Sequence, residues 1–163
     1  MPPTAYHAVV AAPGFALGVR CNDDEITAID FLEPRPEQPP TTPLAAEAVR
    51  QLEAYLADPG FVFSLPLQAA GTAFQRRVWA QISAIPCGQT HTYGQLAKNL
   101  NNAPRAVGQA CGANPYPLVV PCHRVVASHG GLGGFARERG GFLLDIKRWL
   151  LQHENAELAA KTH

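Results

Sequence analysis

Residues 92–112 read TYGQLAKNLNNAPRAVGQACG, and this stretch decides how the rest of the chain is parsed. Thr92 is suited to cap a helix, because its side-chain oxygen accepts from backbone N–H groups that have no carbonyl partner in a first turn. The spacing predicts a short helix over Tyr93–Leu100. Asn101-Asn102-Ala103-Pro104 then breaks it, and a second short helix is expected from about Pro104 to Gly112. Helix, four-residue turn, helix is the helix-turn-helix pattern of many DNA-binding proteins. Spacing alone leaves open a plain helix pair that binds nothing.

Downstream, Leu118–Pro121 and Val125–Ala127 read as short apolar strands flanking Cys122-His123-Arg124. Gly130–Gly134 reads as a loop, and Phe142–Glu154 as a final amphipathic helix. Upstream, Thr72 caps a helix with apolar positions Phe74, Val78, Ile82 and Ile85, ended by Pro86 and Gly88. Phe61–Ala70 is a strand or a connector. Further back, residues 5–11 and 14–20 form a hairpin around Pro13-Gly14, with a third β-prone run at Ile26–Leu32. Five prolines between Pro34 and Pro43 make an extended connector. Thr42 and Pro43 then open a helix carrying Leu44, Ala48, Leu52 and Tyr55, stopped by Asp58-Pro59-Gly60. The expected fold is α+β. Residues 1–69 give a small β-sheet domain with one helix, and residues 70–163 a mostly helical, winged-helix-like domain.

The 163 residues, 47% hydrophobic and 16% charged, suit one compact domain or two small ones. No apolar run approaches the roughly 20 residues that cross a bilayer, which argues against a membrane protein. The start, MPPTAYHAVVAAPGFALG, has no basic segment before its apolar residues, so no signal peptide and a cytoplasmic location are expected. Cysteines at 21, 87, 111 and 122 lack Cys-x-x-Cys spacing, which fits reduced thiols better than a disulfide framework or a zinc site. The formal net charge of zero conceals a division. Residues 1–69 hold three arginines against nine acids, a net of −6; residues 70–163 hold ten basic residues against four acids, a net of +6. A basic half is a reason to look for a polyanion.

Cys122 stands out by its neighbours, Pro121 and His123, inside an apolar run. Most cysteines in such settings are inert core thiols. A nucleophile is the sharper reading, since a nearby imidazole can take the thiol proton.

The segment Asn114-Pro115-Tyr116-Pro117-Leu118-Val119-Val120-Pro121-Cys122-His123-Arg124-Val125-Val126 resembles the active-site segment of the O6-alkylguanine-DNA alkyltransferases, also called methylated-DNA–protein-cysteine methyltransferases. The resemblance covers about residues 71–154. It runs through Gly71–Trp79, Thr92–Ala97 and Arg105–Gly108, and ends at Lys147–Glu154. It implies direct-reversal DNA repair, in which Cys122 takes the alkyl group from O6 of guanine, O4-alkylthymine being an open alternative. The thioether is stable, so each molecule acts once. No cofactor and no metal are implied. The partner is double-stranded DNA, entered through its minor groove by a monomer, with the target nucleotide rotated out of the stack. The first 70 residues resemble the family's variable, ribonuclease-H-like domain only in size and order of elements.

Site roles follow from the same resemblance. His123 matches the base that acts through a water to hold the Cys122 sulfur as thiolate, and Glu154 the carboxylate that orients it. Without the resemblance, Glu154 reads as a surface charge. Asn114 matches the brace of the active-site turn. Tyr93 lies by the target phosphate and base, with a hydroxyl that can donate to the guanine ring. Arg105 matches the finger that fills the vacated space in the stack; the plain alternative is a phosphate-contacting or solvated arginine. Gln75 and Ser128 match DNA-backbone contacts, and Phe135, Ala136 and Val125 the alkyl pocket. Lys147 is support rather than chemistry. The chain departs from the pattern in about five extra residues between Phe135 and Lys147, in Phe135 where many relatives have tyrosine, and in lacking the zinc ligands of some relatives: His7 and Cys21 do not make a four-ligand site. Three rivals remain: a repair-deficient damage sensor, which Cys122 argues against; a multiple-turnover cysteine hydrolase using Cys122, His123 and Glu154; and a transcription factor reading bases with residues 92–112.

Overall fold

Three antiparallel strands open the chain: β1 (Ala8–Ala12), β2 (Phe15–Cys21) and β3 (Ile26–Leu32), in that order across the sheet. The computed structural model describes residues 5–127 and 141–155. The chain divides into two compact units, Met1–Ala69 and Ala70–His163.

In the first unit the β1–β2 hairpin turns at Pro13-Gly14, where Gly14 takes φ 84°, a conformation that costs glycine no Cβ clash. β2 is central and almost wholly buried, while β3 is mostly half-buried. Helix α1 (Pro43–Ala57) packs on β1 and β2 through Ala45, Ala48, Leu52 and Tyr55, spaced by three or four residues. Thr42 caps it, its side chain accepting from Ala45 N at 3.1 Å. The proline-rich connector exchanges two backbone hydrogen bonds with Val9 through Gln38, both 3.1 Å. Residues 61–70 are a connector, held to the sheet by one bridge between Leu67 and Ile26.

The second unit runs α2 (Ala73–Ser83), β4 (His91–Thr92), α3 (Tyr93–Leu100), α4 (Pro104–Gly112), a 3-10 turn (Cys122–Arg124), β5 (Val125–Val126) and α5 (Phe142–His153). Thr72 and Thr92 each begin a reciprocal cap. The threonine oxygen accepts from the backbone of Gln75 or Gln95, and that glutamine's side chain accepts from the threonine N–H. Asn101 ends α3 in left-handed backbone at φ 54°, so the turn before Pro104 costs less than it would for most residues. Gly71 also has positive φ, and a Cβ there would lie 2.6 Å from the Trp79 ring. Trp79 in turn donates from its indole to Ala110 O at 2.8 Å, tying α2 to α4. Val78, Ile82, Ile85, Leu96, Val107 and Leu150 form the core beneath. Each such side chain contributes about 1.5–3 kcal/mol by leaving water.

One expected element is corrected. Leu118–Pro121 is a tight reversal, not a strand: Leu118 has φ 77° and Val120 N donates back to Tyr116 O at 2.9 Å. Prolines 115, 117 and 121 remove donors a ladder would need, while the apolar side chains are still mostly buried. Two residues of real strand follow. β4 and β5 pair in parallel, His91 with Val125 and Thr92 with Val126, which sets the start of α3 beside the cysteine turn. The fold is thus α+β, with α3 and α4 as the helix-turn-helix. Among the described residues no helix is long and apolar enough to cross a membrane. The expected glycine-rich loop, and with it Ser128, Phe135, Ala136 and residues 137–140 of the lengthened segment, lie outside the described residues.

Candidate active site

Cys122 opens the 3-10 turn, its N–H donating to Val120 O at 2.8 Å and Arg124 N to Pro121 O at 2.9 Å. The thiol is 4% exposed. Asn114 braces the reversal from inside. Its Nδ2 donates to Val120 O at 2.9 Å and to the Cys122 Sγ at 3.3 Å, while its Oδ1 accepts from Tyr116 N at 2.8 Å. Only an amide supplies donor and acceptor together in this way.

The surroundings of the thiol favour its neutral form. A hydrogen bond with the Cys111 thiol of α4, then burial, push Cys122 well above the ordinary thiol value; Asn114 and Lys147 pull the other way. An imidazole next in sequence therefore does not by itself produce a standing thiolate.

His123 is buried, with Nε2 2.8 Å from Glu154 Oε2. Glu154, the C-cap of α5, is delivered to the ring by the end of that helix and is 4% exposed. Burial holds His123 below its ordinary value, with Arg124 and Lys147 adding to the effect and Glu154 opposing it. Arg124 grips the same carboxylate with two arms, Nε to Oε1 and Nη2 to Oε2, both 2.9 Å; its Nη1 donates to Ile85 O at 2.7 Å.

Lys147 is fully buried in α5, donating to Val125 O at 2.8 Å, and its Nζ lies 5.9 Å from the centroid of the Tyr93 ring. Burial brings it down to about 8, against the pull of the two thiols. Tyr93, half-buried at the first position of α3, has its hydroxyl pushed far above the ordinary phenol value by burial and by the two thiols. It is a hydrogen-bond donor at any working pH.

Cys122, His123, Glu154, Asn114, Tyr93 and Val125 thus gather around one turn, with Lys147 among them. Val125 is fully buried, its backbone engaged by His91 and Lys147. Arg105 stands exposed at the second position of α4, and Gln75 is bound into the cap of α2; neither has a contact with the thiol cluster among those described. The sequence reading gave no role to Arg124 or Cys111. Arg124 was findable: an arginine inside an apolar run needs a carboxylate, and residues 70–163 contain only Glu138, Asp145, Glu154 and Glu157.

A helix-turn-helix unit that encloses a thiol among a second thiol, an asparagine and a lysine, next in sequence to a buried imidazole–carboxylate pair, defines a class: nucleic-acid-binding proteins with a cysteine centre. Comparison with known proteins narrows it. Residues 73–156 match the family model of the 6-O-methylguanine DNA methyltransferase DNA-binding domain. A methylated-DNA–protein-cysteine methyltransferase of Methanosarcina acetivorans is 47% identical over 112 residues, covering 68% of this chain and 69% of that one. The protein of that name from Methanosarcina barkeri is 37% identical over 161 residues, covering 94% and 99%. The crystal structure of Mycobacterium tuberculosis OGT in complex with DNA superposes with a TM-score of 0.75 at 35% identity, covering 94% of this chain and 96% of that one. The chain belongs to the methylated-DNA–protein-cysteine methyltransferase family.

Proposed function

We propose that this protein reverses alkylation damage in double-stranded DNA by moving the alkyl group from O6 of guanine to its own Cys122. The observation that carries the assignment to Cys122 is its place: a thiol in a braced turn, beside a buried His123–Glu154 pair, in the unit that holds the helix-turn-helix. In this reading the thiol proton passes towards His123, the sulfur–carbon bond forms as the carbon–O6 bond breaks, and the departing guanine regains a proton on its ring. Atoms balance without a cofactor. The product is a thioether, so one molecule repairs one lesion.

Tyr93 donates a hydrogen bond to the guanine as charge builds on it, and its raised hydroxyl suits a donor that keeps its proton. A buried thiol is out of reach of a stacked base, so the nucleotide is rotated out, with Arg105 occupying the gap and α4 lying in the minor groove. The small residues Ala106, Gly108 and Gly112 suit that narrow entry. Residues 70–163 form the DNA-binding alkyltransferase domain, and the protein works as a cytoplasmic monomer. Ser128, Phe135 and Ala136 keep the roles their sequence positions imply, on the DNA backbone and in the alkyl pocket.

Intact mass measured before and after incubation with a duplex containing O6-methylguanine tests this. One methyl group per protein, located on the peptide containing Cys122, is the expected result. An unmodified peptide overturns it, and more than one product per protein molecule points to a turnover enzyme instead.

A further inference from the structure

The buried Glu154 carboxylate meets both His123 and Arg124, and the mechanism above uses the first. His123 reaches one oxygen, whereas Arg124 spans both with a planar fork whose third arm is anchored on Ile85 O. We propose that Arg124 is a positioning residue for alkyl transfer: by neutralising Glu154 through its fork, it keeps His123 as the neutral Nε2–H tautomer, with Nδ1 open to take the Cys122 proton. This rests on the reading of Cys122 as alkyl acceptor and His123 as its base.

The argument begins with the lone pairs. A carboxylate gripped by a guanidinium is an acceptor only, so the His123 nitrogen 2.8 Å away must carry the hydrogen, and the other ring nitrogen must carry the lone pair. The next step is charge. A buried carboxylate facing an imidazole alone favours the imidazolium, because opposite charges attract strongly where water is excluded. An imidazolium has no lone pair and cannot serve as a base. Arg124 cancels the charge that would hold that second proton.

The groups facing the ring agree. From α5 come Glu154 and Lys147, and from the ring's own turn comes Arg124. After α2, the contact is the Ile85 carbonyl, which is uncharged and taken by Arg124. Among the described residues, with Arg124 and Lys147 cationic and Glu154 anionic, the site already carries one net positive charge, and protonating His123 would make two. Accordingly His123 sits below its ordinary value, burial first, with Arg124 and Lys147 contributing in the same direction.

Lysine in place of Arg124 keeps the charge but loses the fork, and glutamine loses both. The test is the single-turnover transfer rate from an O6-methylguanine duplex, followed by intact mass across roughly pH 5–9, for the full-length protein, Arg124→Gln and Arg124→Lys. Removing the cation should move the acid limb of the Arg124→Gln profile upward by about one pH unit or more. Arg124→Lys should keep the wild-type limb with a lower rate throughout. Coincident wild-type and Arg124→Gln limbs, differing only by a constant factor, would reduce Arg124 to a structural strut and overturn the inference. An upward shift in Arg124→Lys would overturn it too.

Nitrogen NMR of His123 in the unmodified protein needs no variant, so it holds even if Arg124→Gln fails to fold. The expected state at pH 7 is neutral with hydrogen on Nε2; an imidazolium or the Nδ1–H tautomer would sink the proposal. If the wild-type protein transfers nothing, the proposed function fails, while the same nitrogen NMR of His123 in Arg124→Gln, set against the wild type, still reads whether Arg124 keeps the ring neutral.

Discussion

Asn114 and Cys122 show how much the site asks of single atoms. The amide of Asn114 holds Val120 O and points a hydrogen at the sulfur, so it both shapes the turn and stabilises whatever negative charge forms there. Asn114→Asp keeps the acceptor for Tyr116 N but sets a carboxylate against the thiol. Losing a hydrogen bond to a charged group costs about 1.5–3 kcal/mol, so transfer should slow by roughly ten- to hundredfold in a single-turnover assay. A rate equal to the wild type would show that the 3.3 Å contact has no part in the chemistry. Cys122→Ala removes a small buried thiol. Transfer should vanish, while affinity for duplex DNA in a gel-shift titration stays within about threefold, well below the 1.4 kcal/mol that a tenfold change represents. Loss of binding along with transfer would mean that the thiol is also a structural element.

Helices were legible where their signals are local. The threonines at 42, 72 and 92 each precede their helix by one residue, and each accepts the expected backbone hydrogen. Thr92 matters most for function because the next residue is Tyr93. Thr92→Ala should cost about 1 kcal/mol and lower Tm by a few degrees, with Thr92→Ser restoring most of it in a thermal melt. An unchanged Tm would show that the β4–β5 pairing alone fixes this end of α3. At the start of α4 the exposed Arg105 offers a different test. Arg105→Ala should slow repair of duplex substrate while sparing reaction with the free alkylated base; equal loss on both would remove its role in base rotation. What the sequence hid is non-local. Leu118–Pro121 has strand-like side chains, and only the backbone, with its prolines and the φ of Leu118, makes it a reversal. The β4–β5 pair is two residues long and joins segments more than thirty residues apart, too short to leave a periodic pattern. Glu154 reads as a surface charge because His123 and Arg124 are some thirty positions away, and no local rule pairs them.

Charge is the property that belongs to the molecule as a whole. A net of zero would suggest indifference to DNA, yet the second unit carries +6 and the first −6. Not all of the positive charge is available for phosphates. Lys147 is buried and Arg124 nearly so, both consumed by the site. Among the described residues of the second unit, the exposed basic side chains are Arg76, Arg77, Lys98, Arg105 and Arg148. Arg76 also donates to Gly71 O and Arg148 to Asp145, contacts that compete with phosphate. Each phosphate neutralised releases about 0.9 of a counterion, so log affinity against log salt should fall with a slope of about −3 to −5. Binding titrations over a salt series measure it directly. A slope near zero would mean that the positive half does not face the DNA, and the minor-groove placement of α4 would fall with it. A slope steeper than about −6 would exceed what these five residues can supply and would bring Arg137, Arg139 and Lys161 into the interface. Arg105→Ala should make the slope shallower by about one if that side chain rests on a phosphate, and leave it unchanged if the side chain enters the stack. The salt series therefore separates the two duties that the sequence left open for Arg105.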